Sequence, residues 1–144
     1  MPIIRNTNQS RDKDLESFYA ELTDDSNDII SKTIGRNMLA FIEMINHTFL
    51  ETQIWGLTSL YHLVLQTKDK WDSEWFVKVT CLADNQYKFE YLMTADKRPW
   101  DKAIVKGIAH GLTDAKKYLL IAMKESGGWT NNLELQKRLL ENNL

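Results

Sequence analysis

Trp75-Phe76-Val77-Lys78-Val79-Thr80-Cys81-Leu82, then Ala83-Asp84-Asn85-Gln86, then Tyr87-Lys88-Phe89-Glu90-Tyr91-Leu92-Met93 is the stretch that decides the fold. Both arms alternate with period two, and the link between them is short and polar. That pattern is an antiparallel hairpin. Trp75, Val77, Val79 and Cys81 share one face of the first arm. Tyr87, Phe89, Tyr91 and Met93 share one face of the second. One side of the sheet is therefore strongly apolar. The other carries Phe76, Lys78, Thr80, Leu82, Lys88, Glu90 and Leu92, the mixture expected where a sheet has a wet side.

Towards the carboxyl terminus, 94–102 is a loop in which Pro99 restricts Arg98 to extended conformations. Residues 103–109 read as a strand, with Gly107 a bulge or a point of close approach. Gly111 ends it. Thr113 is placed to cap a helix over 114–125, with Ala115, Tyr118, Leu119, Ala122 and Met123 as its apolar stripe. Ser126-Gly127-Gly128-Trp129 is a helix stop: a glycine turns left-handed and the tryptophan folds back. Asn131 and Glu134 resemble a capping box that opens a short helix over 133–140.

Towards the amino terminus, 67–74 is a charged connection. The segment 54–66 fits both a helix and an alternating strand; its length and its position before the hairpin favour one strand. A helix over 29–47 has the strongest periodicity in the chain, through Ile30, Ile34, Met38, Phe41, Ile42 and Ile45. Gly35 within it lowers helix propensity and lets another element come close. The polar break 23–28 lacks the glycine and distal glutamate of a calcium loop. A first helix spans 11–22, capped by Ser10, and residues 1–9 are unpatterned and expected to be mobile. The expectation is a single α+β domain over 1–144: an antiparallel meander of about four strands (54–66, 75–82, 87–93, 103–109). Helices 11–22, 29–47 and 114–125 pack it, and the 133–140 helix follows.

The chain has 144 residues, 43% of them hydrophobic and 26% charged, with a net charge of −2. No strong global field draws it to nucleic acid or an anionic membrane. The lone Cys81 excludes an intrachain disulfide, and no run approaches the ~20 apolar residues of a membrane span. With no apolar leader at its start, a reducing cytoplasm is the expected location. Five tryptophans are many for this length. About three are expected in the core, with Trp71 and Trp100, which sit among charges, on the surface.

No catalytic, metal-binding or cofactor motif is present, so no catalytic residue, metal or cofactor is assigned. His47, His62 and His110 lie on different elements; His62 and His110 converge only if their strands are neighbours. Cys81 falls in an apolar alternation and reads as inert packing. Lys97, Arg98, Trp100, Lys102 and Lys106 form a basic, aromatic-bearing stretch, and Lys116 and Lys117 follow at a helix start. Over about 20 residues this strand, turn and Lys-Lys helix start resemble the last part of a double-stranded-RNA-binding domain, where that helix start grips phosphate. Asp114 ahead of the lysines, one strand too many and the acidic total depart from the pattern.

The leading expectation is a non-enzymatic, cytoplasmic protein-interaction module of inhibitor, immunity, chaperone or adaptor type. It binds another protein, or itself as a homodimer, through Trp71, Trp100, Lys97 and Arg98. Nucleic-acid binding, which adds Lys102, Lys106, Lys116 and Lys117, is the alternative. A small-ligand site between sheet and helix, lined by His62 or His110, is the second.

Overall fold

The structure is a computed structural model that describes residues 2–9 and 13–144. The fold is α+β, with four helices and a six-stranded open sheet among the described residues. In chain order the elements are β1 (Ile4–Arg5), α1 (Leu15–Leu22), α2 (Ile29–Thr48), β2 (Trp55–Ser59), β3 (His62–Gln66), β4 (Phe76–Ala83), β5 (Gln86–Leu92), β6 (Ile104–His110), α3 (Leu112–Glu125) and α4 (Leu133–Glu141). The strands lie in sequence order, β1 to β6. β1 runs parallel to β2; every other neighbour is antiparallel.

The hairpin forms where the alternation placed it. Val77, Val79, Cys81, Tyr87 and Phe89 are buried. Asn85 takes φ 58° in the turn, a left-handed conformation that asparagine tolerates. α2 and α3 cover this apolar face: the Phe41 ring lies 5.6 Å from that of Tyr87 and 5.8 Å from that of Phe89. Asn37 ties α2 to the turn, accepting from the Asn85 N–H at 3.1 Å and donating to Asp84 at 3.1 Å.

The expected four strands become six. Residues 54–66 are not one strand but the hairpin β2–β3, with Leu60 and Tyr61 at its tip. Leu60 adopts φ 54° without the glycine or asparagine that usually marks such a turn, so the reversal left no compositional trace. The further strand is β1. Its Ile4 N–H donates to Ile54 O at 3.0 Å, and the Asn6 N–H donates to Gly56 O at 2.7 Å. Polar contacts hold this segment: Asn6 Nδ2 donates to Gln66 Oε1 at 2.8 Å, and the Arg5 guanidinium reaches Lys13 O and Thr58 Oγ1, both at 2.9 Å.

The helix starts also differ from expectation. Described α1 begins at Leu15, with Asp14 accepting from the Ser17 N–H; the expected cap Ser10 lies outside the described residues. α2 is capped by Asp28, and Gly35 does permit a close approach: a Cβ there would lie 2.6 Å from Tyr19 O of α1. Ile30, expected in the apolar stripe of α2, is exposed because α1 and the sheet begin to cover the helix only further along. α3 starts at Leu112, ahead of Thr113, because Gly111 swings to φ 85° and Asp114 accepts from the His110 N–H. At α4 the cap is Asn132, not Asn131, and the Glu134 carboxylate is engaged elsewhere. It accepts from the N–H groups of Leu50, Glu51 and Thr52, docking α4 on the end of α2. The helix stop behaves as read: Gly127 has φ 78° and Trp129 is buried.

Candidate interaction surface

The strands reverse so that two long connections emerge at one end of the sheet: 67–75 between β3 and β4, and 93–103 between β5 and β6. These are the two charged flanks of the hairpin. Trp71 sits in the first and is 69% exposed; Trp100 sits in the second and is 71% exposed. Between the connections lies a depression of about 210 Å³, with a floor of Trp75, Phe76, Leu92 and Met93 and a rim holding Glu74, Arg98 and Lys102.

The sheet face away from the helices continues this surface. Across its loop-bearing end runs a row set by the register: Ile4 beside Trp55, Trp55 beside Gln66, Gln66 beside Phe76, and Leu92 beside Ile104. The Val77–Tyr91 pair brings Phe76 against Leu92. Trp55, Phe76 and Leu92 are half-buried; Ile4 and Ile104 are exposed. The next rows are charged. Glu90, buried at their centre, takes Lys88 Nζ at 2.9 Å and Lys78 Nζ at 3.4 Å. Burial raises the Glu90 pKa, but the two ammonium groups more than offset this and hold it below the ordinary carboxylate value. His62 on the same face bonds Thr80 Oγ1 at 2.7 Å. Burial, then Lys78 and Lys88, lower its pKa.

The basic loop is largely engaged with itself. Lys97 pairs with Glu125 at 3.0 Å, and Arg98 with Asp101 at 3.3 Å. Among the described residues no carboxylate pairs with Lys102, Lys106, Lys116 or Lys117. These four do not share a face. Lys106 points to the open side, opposite Glu90, whereas Lys116 and Lys117 belong to α3, on the other side of the sheet. His62 on β3 and His110 on β6 are separated by β4 and β5 and do not converge. Among the described residues no group of histidine, cysteine and carboxylate side chains is placed to hold a metal ion, and no helix is long and apolar enough to cross a membrane. The Cys81 thiol is buried, and burial first, then the Asp84 charge, push its pKa up to about 11, which suits packing and not nucleophilic chemistry.

Of the five tryptophans only Trp129 is buried. Trp75 is half-buried against Gly127 and Gly128, and Trp55 lies on the open face. The Trp55 row escaped sequence reading because it is assembled from six strands; of its members, the alternation had put only Phe76 and Leu92 on the wet side. No family model matches the chain, and no match was found among curated proteins or solved structures.

Proposed function

We propose that this chain is a non-enzymatic protein-interaction module that grips a partner protein at the loop-bearing end of its open sheet face. One observation carries the reading: Ile4, Trp55, Phe76, Leu92 and Ile104, interrupted by the buried Gln66, stay partly or largely exposed at the end of the sheet from which two loops each expose a tryptophan. Uncovered aromatic and aliphatic side chains rimmed by charge are the anatomy of a protein contact, and tryptophan and arginine supply much of its energy. The rim fits a partner that offers an apolar side chain to the depression and a carboxylate to Lys102, which pairs with no carboxylate among the described residues. A nucleic-acid role draws less support, because its lysines divide between the two sides of the sheet.

The test is affinity capture on the immobilised chain, alongside light scattering on the free protein. A protein retained by the native chain and lost from a Trp71→Ala/Trp100→Ala/Phe76→Ala variant of unchanged circular dichroism supports the reading. A monomer that retains nothing above background, or retains the same proteins after the substitutions, rejects it.

A further inference from the structure

The two edges of the sheet are finished differently. β1 is two residues long and tied down by side chains. β6 is a seven-residue edge strand that, among the described residues, pairs only with β5. The direction of its free backbone groups follows from its bonds. The Met93 N–H donates to Ala103 O at 2.9 Å, and the Gly111 N–H donates to Asn85 O at 2.7 Å. In an antiparallel ladder the bonded pairs alternate, so the odd-numbered residues of β6 face β5. Ile104, Lys106 and Ile108 therefore turn their N–H and C=O groups outward. At the end of the strand the outward N–H of His110 is already taken by Asp114, at 3.0 Å. Three consecutive docking positions remain, with no proline among them.

Beside this edge lies a cleft of about 150 Å³ between β6 and α3, lined chiefly by Phe89, Tyr91, Val105, Gly107, Tyr118 and Ile121. Gly107 lets the Tyr118 ring, one wall of the cleft, lie close against the strand: a Cβ there would meet it at 2.8 Å. The cleft suits one aromatic or large aliphatic side chain. Basic groups stand on both sides of the edge: Lys106 points to the open face, and on the cleft side Lys117 and Lys124 lie four residues before and three after Ile121 on α3. All three are exposed, and among the described residues none is paired with a carboxylate.

We propose that the free edge of β6 accepts an extended acidic segment of a partner protein as an added antiparallel strand, whose apolar side chain opposite Gly107 fills the cleft against Tyr118. The main-chain bonds to Ile104, Lys106 and Ile108 hold the segment, the cleft selects one residue, and Lys106 favours a carboxylate at the adjoining position. A second copy of β6 fits poorly. Antiparallel pairing centred on Gly107 leaves the cleft empty. Centred on Lys106, it opposes two like charges, and centred on Ile108 it offers only the methyl of Ala109. The two sites share only Ile104, through its side chain at the loop-bearing end and its backbone on the edge, so either site can fail alone.

The experiment titrates the isotope-labelled full chain with the capped peptide Thr-Val-Glu-Phe-Glu-Val-Thr and follows amide and Tyr118 ring resonances. Shifts confined to β6 and Tyr118 are expected. Affinity should drop about tenfold or more when the peptide Phe becomes Ala, and also when its two Glu become Lys. N-methylation of the Glu nitrogens, which face β6, should abolish binding. Ile108→Pro removes one outward N–H and no bond to β5, so it should abolish binding in a folded protein. If that variant unfolds, the N-methylated peptide makes the same test on the native chain. The proposal is overturned if β6 does not respond at about 2 mM peptide, or if the Phe→Ala peptide binds equally well. It is also overturned by shifts that fall on 67–75 and 93–103 instead, or by β6 amides that move with protein concentration alone, which would make a second copy the occupant.

Discussion

The same strands present two unlike faces. On the inner one, Val77, Val79, Tyr87 and Phe89 are buried under α2 and α3. On the outer one, one residue away along the same backbone, Phe76 and Leu92 remain half-buried and Ile104 exposed. All are apolar; what differs is whether a helix lands on them. Inner-face side chains stabilise the fold, since their area has left water. Outer-face side chains stabilise it much less, and their remaining area is free for a partner. The contrast separates residues that hold the molecule together from residues available for recognition.

The largest effect that sharpens this contrast belongs to the inner face. Phe41→Ala removes a fully buried ring seated on Tyr87 and Phe89 and should cost about 3–5 kcal/mol in urea unfolding. A loss near zero would mean that the two faces are energetically alike. An intermediate effect belongs to Glu90, the charged centre of the outer face. Glu90→Gln leaves two lysines beside a neutral amide and should cost about 1–3 kcal/mol at neutral pH. Because the folded pKa of Glu90 is depressed below its ordinary 4.5, its contribution is present above that pH and is lost as pH falls through the folded value. Thermal melts from pH 6 down to pH 2 should therefore fall less steeply for Glu90→Gln than for the native chain. Parallel curves would place no linked proton on this group. The smallest effect belongs to the loop tryptophans: Trp71→Ala and Trp100→Ala should each change stability by no more than about 0.5 kcal/mol. A larger loss would make them structural and weaken their role as contacts.

How much was legible follows the same division. The β4–β5 hairpin and the face of α2 were readable because long periodic runs bury one side. Trp71 and Trp100 were readable as exposed because charges surround them. β2–β3 was not, since Leu60 turns left-handed where glycine or asparagine would have announced a reversal. β1 was not, since Asn6, Arg5 and their distant partners hold it through polar contacts that leave no hydrophobic period. The separation of Lys106 from Lys116 was also hidden, because it depends on which way each residue of β6 faces. Gly107 was legible as a close approach, but the cleft beside it needed Tyr118, eleven positions on, to be seen.

The central claim is that the loop-bearing end of the open face is where a partner sits. Hydrogen–deuterium exchange of the chain, alone and with the captured protein bound, tests it most directly. Slowed exchange across 67–75, 93–103 and the adjoining ends of β2, β4 and β6 is the predicted result. Protection confined to α1, α2 and α4, or no protection anywhere, would contradict it.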